Sequence, residues 1–370
     1  MNILLFSRIV AKSGVGNHMK ELSEELVRQG HNVLIVSGTN ELELGGYNVK
    51  FIKLPTLSNS PIAILGVVFS LHKLIKEYNI DVVHCHHRKA ALYMRLYNVI
   101  YKHIPVVYTL HLTPIPCDFM HRILTFVGDK AIGVSTDVSD FLVEKLKIQR
   151  DKVVTVLNGV VNPIEKGNIL DSNDVFKLKS EWNIQKEGKY VFVTHSRIDT
   201  VKNHLVIIEA VKLLPEEIRN KFVVVCSGIK AGGYYQKCIK TIEEYGLEDS
   251  FRFVGWCDTL SIFSIADCLL LPSFIEDFAL SVCEAFFMNV LVARTDCGGF
   301  KDQRYCLKIE ADKPETISML IADITENGLF KYDSLRKQAK DFATLNFTIE
   351  KMTYNIVEVY KDVLLDKKEN

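Results

Sequence analysis

Two carboxylates eight residues apart, Glu276 and Glu284, lie in the stretch PSFIEDFALSVCEAF, where an apolar run ends and a helical pattern begins. Glu276 falls in the connecting loop, where a carboxylate can accept hydrogen bonds from sugar hydroxyls. Glu284 falls a couple of turns inside the helix, where it can accept them from a ribose. Between the two, the start of the helix offers free N–H groups and a positive dipole end, a seat for a diphosphate. A second stretch, VTHSRIDTVKNH, places Arg197 and Lys202 just past a strand pattern and before a helix. The planar fork of Arg and the compact charge of Lys suit a pyrophosphate leaving group. Near the start of the chain, Gly14 and Gly16 precede an amphipathic segment and allow a phosphate to approach the backbone closely. Met19 stands where a third glycine would complete a dinucleotide fingerprint, so a nicotinamide cofactor is not expected. The run DVVHCHHRK holds three histidines and a cysteine within four positions, which invites a zinc reading. Strand alternation sets His84 and His86 on one face and Cys85 and His87 on the other, so the four cannot converge and no metal is expected. His111 ends another strand pattern, VVYTLHLT.

The elements that must position these residues are legible as short apolar runs alternating with longer amphipathic ones. Strands are predicted over Asn2–Phe6, Val33–Val36, Val49–Ile52, Val82–Cys85, Val106–Leu110, Ala131–Val134 and Val153–Leu157. A polar stretch over 162–188 follows and reads as a linker with a short helix. The alternation then restarts with Tyr190–Thr194, Phe222–Cys226, Phe251–Val254, Cys268–Leu271 and Leu291–Arg294. Most runs are apolar throughout, as in strands buried on both faces of a parallel sheet. Two βα arrays of similar size imply two doubly wound domains facing a cleft, with ligands beyond the carboxyl ends of the strands.

Composition narrows the function classes. Of 370 residues, 48% are hydrophobic and 24% charged, with 45 basic and 45 acidic side chains, so nucleic acid is not expected as a partner. Residues 1–160 carry 18 basic and 13 acidic groups, leaving 27 and 32 for the rest. That slight basic excess would suit an anionic surface or acceptor, and it is equally readable as chance. Nine cysteines without C-x-x-C pairs point to reduced thiols. The opening MNILLFSRIV lacks a basic n-region and a small-residue cleavage site, so no secretory signal is expected. No apolar run reaches the ~18–20 residues that span a bilayer.

Taken together, the motifs resemble those of glycosyltransferase family 4. Pro272, Ser273, Glu276, Phe278, Glu284 and Ala285 match its P-S-x-x-E-x-F-G-x-x-x-x-E-A form, with Ala279 where glycine is usual and Asp277 at an often small position. Arg197 and Lys202 match G-R-x-x-x-x-K-N, with Ser196 for the glycine. The Gly14 loop is similar to G-G-x-x-x-H, with Ser13 for the first glycine. Asn158-Gly159-Val160 resembles the end of the family's N-terminal domain, and Gly298-Gly299 a late glycine turn with Asp302 where Glu is common. The resemblance covers essentially the whole chain. It implies an α/β GT-B fold of two Rossmann-like doubly wound domains facing a deep cleft. Residues 1–165 would bind acceptor and 185–347 the nucleotide sugar, with a C-terminal helix over about 348–366 crossing back to the first domain.

The implied activity is retaining transfer of a hexose or N-acetylhexosamine from a nucleotide-diphosphate sugar, UDP-sugar favoured, to an acceptor hydroxyl. Arg197, Lys202, Glu276 and His111 would be catalytic. Gly14, Gly16, Phe278, Ala279, Leu280, Ser281 and Glu284 would hold the nucleotide sugar. The chain has no D-x-D sequence, so no cofactor is expected and the two cations would take the place of a metal. The expected acceptor is a saccharide, lipid-linked, in bacterial polysaccharide, O-antigen or capsule synthesis, at the cytoplasmic face of the plasma membrane. Peripheral membrane contact would run through the N-terminal domain, where Tyr and Leu interleave with cations over Arg88–His103; that segment reads equally well as a buried helix with charged ends. A soluble small acceptor, a nucleotide-sugar epimerase on the same fold and a non-catalytic partner subunit stay open.

Overall fold

The computed structural model describes residues 1–42, 44, 49–166, 170–184, 188–230 and 232–369. They divide into two compact units, Met1–Val160 with Asn346–Asn370, and Val161–Leu345.

The first unit is built on a seven-stranded parallel sheet of β1 (Asn2–Phe6), β2 (Asn32–Ser37), β3 (Lys50–Lys53), β4 (Val82–Cys85), β5 (Val106–Leu110), β6 (Lys130–Gly133) and β7 (Val153–Thr155). Its order is β3-β2-β1-β4-β5-β6-β7. Strands β1, β4 and β5 lie in the middle and are almost wholly buried, which is why their sequences run apolar without alternation. The chain winds one way from β1 to β2 and the other way from β4 to β5, so the connections leaving β1 and β4 part at a topological switch point. In such sheets the crevice that opens there is the usual ligand seat.

The last helix, Ile349–Glu369, belongs to this unit. It packs on the helix Gly14–Arg28. A short parallel bridge ties Val160 to Thr348, with the Val160 amide donating to Phe347 O at 2.9 Å. Met352, Ile356, Val359, Tyr360 and Val363 are buried, as their helical spacing predicts.

The second unit carries a six-stranded parallel sheet of β8 (Tyr190–His195), β9 (Phe222–Ser227), β10 (Phe251–Gly255), β11 (Cys268–Leu271), β12 (Leu291–Thr295) and β13 (Leu307–Ile309), in the order β10-β9-β8-β11-β12-β13. Its switch point lies between β8 and β11. Strand β13 was not anticipated from the sequence. It is a three-residue edge strand with an exposed Lys308 at its centre, too short to show a period. In the 162–188 stretch the described residues form two helices, Pro163–Lys166 and Ser172–Glu181, the second capped by Asp171, whose carboxylate accepts from the Asn173 and Asp174 amides. All nine cysteines are free, and six of them are buried.

The segment Arg88–His103 forms a helix over Arg88–Ile100 whose Ala90, Ala91, Tyr93, Met94 and Tyr97 are buried. Its aromatic face is packing, while Val99 and Ile100 at its C-terminal end are exposed, so burial accounts for Tyr93 and Tyr97 and leaves that end open to solvent. Among the described residues no helix is long and apolar enough to cross a membrane.

Candidate active site

In the second unit the loops leaving β8 and β11 are the two that flank the switch point, and they carry the charged residues singled out from the sequence. Asn203 staples them: held left-handed at φ 56°, it sends its side-chain amide to Pro272 O at 3.3 Å and Ala311 O at 2.7 Å. The Phe274 amide donates back to Val201 O at 2.9 Å. This brings Lys202 into an ion pair with Glu276, the two side chains being 18% and 9% exposed. Ser273 Oγ donates to the same Glu276 oxygen at 2.7 Å. Arg197 is more open and pairs with Asp199 at 3.1 Å, while the other Asp199 oxygen accepts from the Lys202 amide at 3.0 Å. Asp199 thus braces both cations, a role the sequence reading missed.

Glu276 and Glu284 are separated by the turn that starts the helix Leu280–Phe287. Ala279 occupies the N-cap position and caps with no side chain, so the first amides, at Leu280 and Ser281, carry the helix's positive end without a side-chain partner. Phe278 and Ala279 are buried beneath this turn. Glu284 is half-buried and accepts from Thr259 Oγ1 at 3.1 Å. Asp277, beside Glu276, is 5% exposed.

The turn is held from below by a group the sequence reading recorded only as a strand end. Arg294 on β12 is fully buried. It donates to Gly298 O at 2.8 Å, to Cys297 O at 3.3 Å and to the side-chain oxygen of Gln303. Gln303, also fully buried, donates onward to Ala279 O at 2.7 Å. One guanidinium therefore ties the Cys297–Gly299 turn to the start of the Leu280–Phe287 helix. The turn packs so closely that a Cβ on Gly298 would lie 2.1 Å from Glu276 O, which explains a glycine there. The only sequence signal of this clamp is an arginine ending an otherwise apolar strand.

In the first unit the helix Gly14–Arg28 starts at the switch point. Ser13 is its N-cap, accepting from the Gly16 amide at 3.3 Å. A Cβ on Gly16 would stand 2.0 Å from Ala11 O, so the loop after β1 folds onto this helix only with glycine at that position. One turn on, His18 meets His86 from the end of β4 and His111 from the end of β5. The His18 and His111 ring centroids are 4.7 Å apart, and His86 Nδ1 lies 3.1 Å from His111 Nε2. His84 lies behind, its ring tilted against His86 with centroids 4.1 Å apart, but its nitrogens are engaged by Tyr360 OH at 2.6 Å and Thr109 Oγ1 at 2.7 Å. Alternation correctly set His84 and His86 on one face. It could not show that His18 joins them, since that contact depends on how the helix packs on the sheet.

Burial keeps these imidazoles uncharged. It pushes His18 down to about 4, and holds His84, His86 and His111 well below the ordinary histidine value, with the neighbouring rings adding to the effect on the last three. In the second unit burial likewise lowers His195 and His204 to about 4. A depressed folded-state value means that the unfolded chain takes up protons first. The stabilising contribution is therefore complete above about pH 6.5 and is lost as pH falls toward 4. The thermal midpoint is expected to drop between pH 7 and 5, each such histidine adding a slope of up to about 1.4 kcal/mol per pH unit. A level midpoint across that range would contradict the neutral cluster.

The family model described as Glycosyltransferase Family 4 matches residues 12–161, and that described as Glycosyl transferases group 1 matches residues 174–342. The chain is 23% identical over 380 residues to an uncharacterised glycosyltransferase of Methanocaldococcus jannaschii, covering 94% of each protein. It is 24% identical over 299 residues to the alpha-monoglucosyldiacylglycerol synthase of Streptococcus pneumoniae, covering 74% of this chain and 66% of that one. Among solved structures, Anabaena HepE in complex with UDP-glucose superposes with a TM-score of 0.83 at 17% identity, over 98% of this chain and all of the other. With both halves matched in order and two parallel Rossmann-like sheets, the protein is a glycosyltransferase and belongs to glycosyltransferase family 4.

Proposed function

We propose that this enzyme moves a hexose or N-acetylhexosamine from a UDP-sugar, with retention of anomeric configuration, to a hydroxyl of a lipid-linked acceptor in bacterial surface-glycan assembly. The observation that carries the reading is the junction of Lys202, Glu276 and Ser273 at the switch point of the second sheet, with Arg197 braced beside it. Arg197 and Lys202 would stabilise charge developing on the leaving β-phosphate, the term that preorganised electrostatics serves best. The uncapped start of the helix Leu280–Phe287 would take the diphosphate, Glu284 the ribose and Glu276 the hydroxyls of the transferred sugar. His111, a neutral imidazole, would meet the sugar as a hydrogen-bond partner. Gly14 would let the donor phosphate approach the backbone, and Gly16, packed on Ala11 O, would shape the loop that receives it. The bound UDP-glucose of HepE supports the choice of donor.

A thermal-shift screen against UDP, GDP, ADP and their sugars, followed by a transfer assay, tests the donor. A midpoint raised by a GDP- or ADP-sugar and not by UDP-sugars would overturn it. If Arg197 and Lys202 take the place of a metal at the diphosphate, transfer runs at full rate in EDTA, and a requirement for added Mn²⁺ would contradict that.

The lipid-linked acceptor is supported by a relative named for a glucosylated diacylglycerol and by a patch of exposed apolar side chains in the first unit. Ile62, Leu65 and Phe69 project from the helix Pro61–Glu77, Val99 and Ile100 from the adjacent end of Arg88–Ile100, with Lys73 and Lys102 exposed nearby. The Phe69 ring meets Tyr101 at 6.4 Å, which joins the two helices into one face. Such a face suits the headgroup region of an anionic bilayer. The enzyme is expected to float with vesicles containing phosphatidylglycerol, at the inner face of the plasma membrane in the cell. The pair Ile62→Glu and Phe69→Glu should leave it in the soluble fraction, and unaltered flotation would remove this surface from the proposal.

A further inference from the structure

We propose that His18, His86 and His111 form a binding site for one borderline transition-metal ion of the Zn²⁺ or Co²⁺ kind. The three come from separate elements, a helix and the ends of two strands, and offer ring nitrogens within 4.8 Å of one another. His86 Nδ1 and His111 Nε2 already stand 3.1 Å apart, close to the spacing of two ligands on a tetrahedral ion with metal–nitrogen bonds of about 2.0–2.1 Å. His18 completes the triangle, with all three nitrogens within 4.8 Å before any ring turns toward an ion.

A second observation points to a missing partner. Both ring nitrogens of His18 and Nε2 of His86 are buried with no hydrogen bond, although each residue is 3% exposed. A neutral imidazole has one donor and one acceptor, and burying both unmade is costly unless something fills the space between the rings. Asn158, 6% exposed and near enough to His18 to favour its protonated form, has a side-chain oxygen that is also buried without a hydrogen bond. An ion on one nitrogen of His18 would turn the other N–H into a strong donor for that oxygen, the arrangement that orients ligating histidines elsewhere. His84 is no ligand, because Tyr360 and Thr109 occupy its nitrogens. His111 is the half-buried member, which leaves the ion an entry path and room for a solvent ligand.

Occupancy would engage the histidine assigned to the donor sugar, so Zn²⁺ acts here as an inhibitor of transfer. That consequence rests on the proposed role of His111, whereas the binding does not. The full-length, chelator-treated protein is titrated with Co²⁺. One equivalent is expected to give the visible absorption of a low-symmetry imidazole site, bleached by Zn²⁺. His18→Gln should abolish it, and His121→Ala, at a surface histidine paired with Asp118, should preserve it. X-ray absorption on the Zn²⁺-loaded wild type, which needs no variant, should count three imidazoles. No saturable Co²⁺ band, a band that survives His18→Gln, or fewer than three imidazoles would overturn the site. Zinc that binds as described and leaves the transfer rate unchanged would overturn only the role of His111. Zinc that removes most of the rate, with EDTA restoring it, supports both.

Discussion

Replacing Lys202 with alanine is expected to slow transfer by about 100–1,000-fold while leaving the thermal midpoint within a few degrees. The size follows from what one preorganised donor to a developing oxyanion is worth, ~3–4 kcal/mol. Two features of the site make Lys202 the larger of the two cationic losses. Its side chain is 18% exposed, where that of Arg197 is 61% exposed and better screened by water. It is also fixed at three points, through Glu276, through its own amide on Asp199 and through the neighbouring Asn203. Folding should tolerate the change, because Glu276 keeps Ser273 Oγ at 2.7 Å and Asn203 still staples the loops. Steady-state kinetics should show the loss mainly in kcat, since the interaction strengthens as charge moves to the leaving group. Unchanged turnover would remove Lys202 from the leaving-group role.

The second large effect is structural. Arg294→Met is expected to destabilise the second unit by about 3–5 kcal/mol, because Gly298 O, Cys297 O and the Gln303 side-chain oxygen lose their donor together, at about 1–3 kcal/mol for each acceptor left unmet. An apolar replacement of similar length can be neutral when both partners of a buried pair are removed together. Here two of the acceptors, Gly298 O and Cys297 O, are backbone carbonyls that no side-chain change can delete. Arg294→Lys should rescue little, because one ammonium cannot span those carbonyls and Gln303 at once. Urea unfolding of the second unit measures the loss. Since Gln303 carries the clamp on to Ala279 O, the surviving folded enzyme should also show a raised KM for the donor. Wild-type stability in Arg294→Met would mean that the guanidinium holds nothing the fold requires.

How much was legible beforehand depends on the range of the interaction. Strands β1, β4, β5 and β11 were delimited to the residue, because an apolar run between turn signals is a local property. The helix start at Leu280 and the stripe on the last helix were readable for the same reason. Strand β13 was not, since three residues carry no period. The chemistry at Glu276, Glu284, Arg197 and Lys202 could be inferred from residue type and spacing within each loop, and from the likeness of those loops to a family. Their contacts could not.

The sequence by itself determined two parallel α/β units and which loops would carry charge. Only the tertiary structure decided the pairings. Lys202 reaches Glu276 across 74 positions because β8 and β11 are neighbours at a switch point, a matter of sheet order. Asp277 is buried because the Gly298–Gly299 turn packs directly on its backbone. His18 joins His86 and His111, and Arg294 finds its carbonyls, only once helix and turn are packed on their sheets. Hydrophobic period is written along the chain; the partners of a buried polar group are written in the packing, where an unmet hydrogen bond is costly.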